Sequence, residues 1–154
     1  MSIKEKLSAL GLSLPTAAAP VAAYVPAVKS GNLVFTAGQL PVVDGKLVKV
    51  GKVGSDVSAE DAKEMAQICA LNALAAISLV ADLDEIERVV RVGGFVNCAP
   101  GFTAIPGVIN GASEFLIKIF GDVNGKHART AVGVAELPLN APVEIELIIQ
   151  LSSR

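Results

Sequence analysis

Two short runs of alternating side chains, split by a proline- and asparagine-bearing interruption, limit what this chain can become more than any other feature. Between His127 and Gln150, Arg129, Ala131, Gly133 and Ala135 alternate with a set that includes Val132 and Val134. Leu137-Pro138 and Asn140-Ala141-Pro142 interrupt, after which Val143, Ile145, Leu147 and Ile149 alternate with Glu144, Glu146 and Ile148. A period of two sends successive side chains to opposite faces of a sheet, so the pattern reads as two successive strands. Arg129 opens the first strand and Glu144 the second. In one sheet layer these groups could pair as charges or line a small anion pocket.

The remainder of the chain supplies elements to set beside those strands. Ser2 and Glu5 have capping-box spacing, and Ile3, Leu7 and Leu10 give Ser2 to Leu12 a helical stripe. Leu14 to Pro20 is a Pro/Ala connector lying over the body. Tyr24 to Val28 reads as extended, Ser30-Gly31-Asn32 as a turn, and Leu33 to Thr36 as a second strand running into Ala37-Gly38-Gln39-Leu40-Pro41. Gly38 allows close backbone approach by a ligand or by another strand, and the strand is the simpler reading. Val42 to Val57 is an excursion with turns at Asp44-Gly45 and Gly51, a small flap or hairpin. Ser58 caps a helix whose Ala62, Met65, Ala66, Cys69, Ala73 and Ile77 recur at helical spacing. Met65 there is a core gap-filler rather than a ligand. Asp82 to Glu85 is a capped turn. Glu87 to Val96 is a strand whose Gly93-Gly94 predicts a bulge or a point of close approach. After Pro106, Val108, Ile109, Ala112, Leu116, Ile119 and Phe120 predict a second main helix ending at Gly121.

Strand, strand, helix, strand, helix, strand, strand predicts an α/β fold, a mixed sheet with two main helices on one face. The 154 residues suffice for one sizeable core, so residues 1–154 are expected to form a single domain, with 1–22 as N-terminal helix and connector. Apolar residues make up 52% and charged residues 18%, with aromatics at only 4%, so the core is built from Ala, Val, Leu and Ile. The sheet face away from the helices is then expected to be apolar, and a homo-oligomer would cover it. Lys and Arg form no basic run and the net charge is −2, which argues against nucleic-acid backbone binding. No signal peptide or membrane span is indicated, so the expectation is a cytoplasmic protein with no membrane partner.

One His and two distant cysteines make a poor zinc ligand list, so no metal is expected. Walker, dinucleotide and serine-elbow motifs are absent, so covalent catalysis has no strong candidate. Cys69 and Cys98 read as reduced thiols. Arg129 is the most suggestive charge, since it emerges among Ala128, Ala131 and Gly133 and a guanidinium can grip a carboxylate through two parallel hydrogen bonds. A structural pair with Glu144 or Glu146 ranks ahead of a substrate clamp on the residues alone, and both stay open. Glu144 is either a paired carboxylate or, partly desolvated, a group that orients or polarises a water. Tyr24 is a packing residue or the ring wall of a cleft, and Asn110 faces solvent or a ligand. His127 reads as a turn or interface residue, for lack of a partner that would make it a general base.

Gly31-Asn32-Leu33-Val34-Phe35-Thr36-Ala37-Gly38-Gln39-Leu40-Pro41, taken with Ala128-Arg129-Thr130-Ala131-Val132-Gly133-Val134-Ala135-Glu136-Leu137-Pro138 and Val143-Glu144-Ile145-Glu146, resembles the reactive intermediate deaminase family. That family was earlier named after the liver perchloric-acid-soluble protein and is also labelled endoribonuclease L-PSP. The resemblance runs from about Tyr24 to Gln150. It implies a chorismate mutase-like α/β subunit, a homotrimer with clefts between neighbouring subunits, and no metal or organic cofactor. It also implies an activity like that of 2-iminobutanoate/2-iminopropanoate deaminases, the hydrolysis of reactive 2-imino acids or their enamine tautomers to 2-oxo acids and ammonia.

Carried over by position, the resemblance makes Arg129 the grip on the substrate carboxylate and Glu144 the acid that places the attacking water. Tyr24, Gly38, Asn110 and Ala131 would line the substrate site. Ala131 stands where the family usually has a pocket cysteine, so thiol chemistry is not implied, although its backbone N–H could still contact substrate. The N-terminal extension and the Gly45 to Val57 excursion depart from the pattern and could reshape the cleft, which suggests a less characterised branch. The leading expectation is an imine-removing enzyme acting on a small imino or keto acid. The alternative is a non-catalytic trimeric binding or regulatory protein for a small carboxylate metabolite. An endoribonuclease has little physical support without a basic, aromatic track.

Overall fold

A computed structural model describes residues 1–20 and 22–153 of the chain. The N-terminal helix α1 (Ile3–Ala9) starts at the expected capping box, with Ser2 Oγ accepting from the Glu5 N–H and the Glu5 carboxylate accepting from the Ser2 N–H. Strands β1 (Ala27–Ser30) and β2 (Leu33–Thr36) form a hairpin around Gly31-Asn32, so Tyr24 lies ahead of the strand rather than in it. The excursion contains a small hairpin of β3 (Val42–Val43) and β4 (Lys46–Leu47). Its turn residues Asp44 and Gly45 both have positive φ, 51° and 78°, as a two-residue hairpin with native twist requires. Ser58 caps α2 (Ala59–Ile77) by accepting from the Asp61 N–H. A capped 3₁₀ turn at Leu83–Glu85 leads into β5 (Ile86–Asn97). Then follow α3 (Ile105–Asn124), β6 (Ala128–Val134), a 3₁₀ turn at Pro138–Asn140 and β7 (Val143–Leu151).

The main sheet has the order β1-β2-β7-β5-β6, with β5 and β6 parallel and the other pairs antiparallel. It is the mixed sheet expected, with α2 and α3 packed on one face and α1 as a third, smaller helix. Val34, Val92, Val96, Ile145, Leu147 and Ile149 are buried from the sheet side, against Met65, Cys69 and Leu74 of α2 and Ile109 and Leu116 of α3. Lys6 of α1 donates to the Ile119 carbonyl at 2.9 Å, tying α1 to α3.

The two alternating runs are successive in sequence but not neighbours in the sheet. β6 returns parallel to β5 through α3 and so lies on the outer edge, leaving β7 to pair with the opposite side of β5. The connection between them must therefore cross the end of β5, where Asn97 holds it. This fully buried amide donates from Nδ2 to Asn140 Oδ1 and to the Ala141 carbonyl, both at 3.2 Å. Its backbone N–H donates to Pro142 O at 2.9 Å, and its Oδ1 accepts from Lys52 Nζ at 2.8 Å. A buried amide is thus satisfied on every side, as its burial demands.

Two further expectations are narrowed and a third is corrected. The register shifts of β5 lie at Ile86/Arg88 and Val89/Arg91, not at Gly93-Gly94. Those glycines serve close approach instead: a Cβ on Gly93 would lie 2.6 Å from Glu146 Cγ, and one on Gly94 2.6 Å from Ile109 Cδ1. Helical geometry in α3 does break at Gly121 (φ 85°, ψ 169°), but helical turns resume as far as Asn124. The sheet face away from the helices is mixed rather than apolar. By register, Val28, Phe35, Phe95, Val132 and Ile148 share it with Arg91, Thr130, Glu144 and Glu146.

The two main helices meet closely at Gly111, where a Cβ would collide with the Lys63 carbonyl oxygen of α2. Backbone cannot move aside as a flexible side chain can, so Gly111→Ala is expected to lower stability by about 1–3 kcal/mol in denaturant unfolding. Gly107 in the first turn of α3 has nothing within 4 Å of such a Cβ. Gly107→Ala should instead be neutral or stabilising by up to about 1 kcal/mol.

Candidate functional site

Past the end of β2, Gln39 exchanges two backbone hydrogen bonds with Ile145 of β7, at 2.8 and 3.0 Å. This extra bridge carries Gly38 alongside Glu144, whose carboxylate occupies the space that a Gly38 Cβ would need. The close approach anticipated at Gly38 is therefore to a carboxylate. Glu144 is half-buried, and its carboxyl is pushed above the usual range first by burial and then by the neighbouring Glu146.

Gly38 also lines a cavity of about 350 Å³ with Tyr24, Pro26, Leu40, Val42 and Leu139. Tyr24 is 46% exposed and forms one wall rather than a core contact. Ala18 and Ala19 of the connector and Gly45 of the β3–β4 hairpin complete the rim, so both departures from the family pattern border this cavity. Asn72 was not anticipated: it sits in the apolar stripe of α2 and donates from Nδ2 to the carbonyls of Leu40 and Val42, both at 3.0 Å. A lone amide among alanines was the available signal.

Arg129 belongs to a different neighbourhood. Arg129, Ala131 and Gly133 alternate on the α3 side of β6, and the guanidinium reaches along α3. Nη1 donates to Ser113 Oγ at 3.1 Å and Nη2 to the Pro106 carbonyl at 3.2 Å. Asn110 lies on the same face, because positions 106, 110 and 113 follow the i, i+4, i+7 spacing of one helical stripe. Ser113 Oγ is 2.9 Å from His127 Nε2, and His127 Nδ1 is 2.6 Å from the Gly125 carbonyl oxygen. The carbonyl can only accept, so Nδ1 carries the imidazole proton and Nε2 accepts from the Ser113 hydroxyl. Sequence reading gave His127 no partner. Ser113 is that partner, fourteen residues away across the end of α3.

The expected Arg129–Glu144 or Arg129–Glu146 pair does not form among the described residues. By register Glu144 stands opposite Phe95, and Phe95 opposite Val132, on the face away from the helices, whereas Arg129 faces α3. The structure thus gathers Tyr24, Gly38 and Glu144 at one place and Arg129, Asn110 and Ala131 at another. It does not join the two groups within one chain. Both cysteines are free thiols, raised by burial, and Cys69 is also disfavoured as a thiolate by Glu144. Among the described residues, no three His, Cys, Asp or Glu side chains converge as a metal-binding group, and no helix is long and apolar enough to cross a membrane.

His127 is held below its ordinary pKa of 6.5, first by burial and further by Arg129, with the hydrogen bond to Gly125 opposing. The single histidine makes this directly measurable: its ring should titrate below 6.5 and show the Nδ1–H tautomer in long-range proton–nitrogen spectra. The unfolded chain takes up the proton first. The stability contributed by neutral His127 should therefore be complete above pH 6.5 and decline as pH falls through the depressed value.

Known proteins match this chain over nearly its whole length. A family profile described as "YjgF/chorismate mutase-like, putative endoribonuclease" matches residues 4–151. Protein TCP17 of Trypanosoma cruzi is 39% identical over 152 residues, covering 98% of this chain and 95% of that protein. A crystal structure of a protein with unknown function from Agrobacterium tumefaciens is 42% identical, with a TM-score of 0.88 over 99% of this chain and 93% of that one. A "putative endoribonuclease" from Shewanella oneidensis MR-1 is 30% identical, with a TM-score of 0.93 over 98% of this chain and 100% of that one. The chain belongs to the YjgF/L-PSP family, the family that its two end motifs resemble.

Proposed function

We propose that this protein hydrolyses small reactive 2-imino acids, or their enamine tautomers, to 2-oxo acids and ammonia, in clefts shared between neighbouring copies of a homotrimer. The observation that carries the reading is the mounting of Arg129. Two of its N–H groups are spent on Ser113 and Pro106, which hold the guanidinium against α3, and a guanidinium has five to give. The remaining donors suit a substrate carboxylate. Glu144 supplies the complementary chemistry, because a half-buried carboxyl raised toward neutrality is a better proton acceptor from water than an ordinary one.

In this reading Arg129 orients the imino acid by its carboxylate, with Asn110 beside it on α3. Tyr24 and the cavity at Gly38, from the adjacent copy, receive the side chain. Water adds to the C=N carbon while Glu144 takes one of its protons and passes it to the imine nitrogen. The resulting amino alcohol expels ammonia as its hydroxyl proton moves through Glu144 to that nitrogen, leaving the 2-oxo acid. Since Arg129 and Glu144 face opposite sides of one sheet, a cleft using both draws them from two chains. The mixed open face, with Val28 51% and Phe35 and Val132 each 40% exposed, offers apolar surface for that contact.

The direct test generates 2-aminoacrylate in situ and follows 2-oxo-acid formation. Wild-type protein should accelerate it, and Arg129→Ala or Glu144→Gln should each lower kcat/KM by roughly a hundredfold with fold and assembly retained. Acceleration undiminished in Arg129→Ala would sink the clamp. No acceleration by wild type, with the 2-oxo acid still bound, would favour the non-catalytic carboxylate-binding alternative. The shared cleft has its own signature. Co-refolding equal amounts of the two variants should restore about a quarter of wild-type activity, because that fraction of clefts would receive an intact Arg129 and an intact Glu144 from different chains.

A further inference from the structure

His127 has no part in the chemistry just described, yet through Ser113 it forms a directed chain of hydrogen bonds that ends on Arg129. It starts at the Gly125 carbonyl, at the C-terminal end of α3, which accepts from His127 Nδ1 at 2.6 Å. That bond leaves Nε2 as an acceptor, so the Ser113 hydroxyl proton points to it across 2.9 Å. With its proton committed, the hydroxyl oxygen turns a lone pair to Arg129 Nη1 at 3.1 Å. The hydroxyl would otherwise rotate freely, and here each link fixes the direction of the next. Ser113 is 8% exposed, so solvent does not compete for these bonds. Pro106 O takes Nη2 at 3.2 Å and stops the guanidinium from swinging about the Ser113 contact.

We propose that Ser113 is a positioning residue for Arg129, with His127 as the group that orients it, so that this pair sets the affinity of the protein for a substrate carboxylate. The assignment rests on the reading of Arg129 as the carboxylate grip. A nucleophilic role for Ser113 fits less well, since its hydroxyl is nearly enclosed and its oxygen already accepts from the Arg129 guanidinium. A ready-made fork avoids the entropic loss of ordering a long side chain at the moment of binding. Losing the relay should therefore appear in binding and KM before it appears in kcat.

The experiment compares wild type with Ser113→Ala, Ser113→Thr, His127→Gln, His127→Leu and Arg129→Ala, all checked for fold and assembly. Pyruvate is the carboxylate probe in calorimetry, and 2-aminoacrylate made in situ is the kinetic substrate. Ser113→Ala and His127→Leu should each weaken pyruvate binding and raise KM about tenfold, the loss expected for one charge-assisted hydrogen bond, with kcat changing less. Ser113→Thr, which keeps the hydroxyl, and His127→Gln, whose amide oxygen can accept from it, should recover most of that loss. Independently of any ligand, the Arg129 guanidinium resonances should show slow rotation in wild type and averaging in Ser113→Ala. Unchanged binding, KM and rotation in Ser113→Ala, with Arg129→Ala still defective, would overturn the relay and leave the proposed function standing. Normal binding and turnover in Arg129→Ala would instead overturn Arg129 as the carboxylate grip, and the relay's role in ligand binding with it. Covalent capture of Ser113 by a fluorophosphonate would overturn the positioning role in favour of a nucleophilic one.

Discussion

Strand β7 satisfies backbone groups on both of its edges, toward β2 and toward β5, and buries Val143, Ile145, Leu147, Ile149 and Leu151 beneath the helices. Without it the β1–β2 hairpin has no sheet to join and β5 has an unpaired flank. Because β7 arrives last, after the parallel β5–α3–β6 crossing is complete, the chain has to pass over the end of β5 to reach its slot. The buried Asn97 makes that crossing tolerable by meeting the carbonyls and side chain of the passing segment with matched donors. Lys52 joins the same knot, accepted by Asn97 Oδ1 and the Ala135 carbonyl. The excursion that looked like an ornament of the cleft is thereby anchored to the end of the central strands.

The same insertion keeps two complementary charges apart. Had β6 and β7 been neighbours, Arg129 and Glu144 could have neutralised each other across one hydrogen-bonded pair. With β5 between them and their side chains on opposite faces, neither charge silences the other. Arg129 keeps donors unspent on α3, while Glu144 rests against Gly38 with its carboxyl raised. A fold that separates two complementary groups in one chain leaves each available to a neighbour.

Element identity was legible wherever a local rule operated alone. Ser2, Ser58 and Asp82 cap where their spacing placed them, Asp44-Gly45 turns, and the alternation in β7 matches its burial residue by residue. The strand order was not legible, because alternation reports which face a residue takes and carries no information about which strand lies beside it. For the same reason Arg129 was readable as an important charge but not as facing α3. The contact between Ser113 and His127 was hidden by distance along the chain, and Ser113 resembles any small residue at a helix–sheet contact. Asn72 was hidden by its surroundings, since a helix stripe of alanines draws attention to packing rather than to the two carbonyls one amide can hold.

The close contact of Gly111 with Lys63 has a mechanical meaning. Asn72 on α2 grips the rim of the Tyr24 cavity, and Ser113 on α3 grips Arg129, two residues beyond the point where the helices touch backbone to backbone. Close-packed interiors transmit displacement instead of absorbing it. A shift of the cavity rim would then be carried through the helix pair toward the guanidinium on the far side of the same chain. If copies close into a ring, each chain would lie between two clefts, as wall of one and grip of the next. Occupancy of one cleft would then be felt in its neighbour, and the helix pair would act as the spring between them.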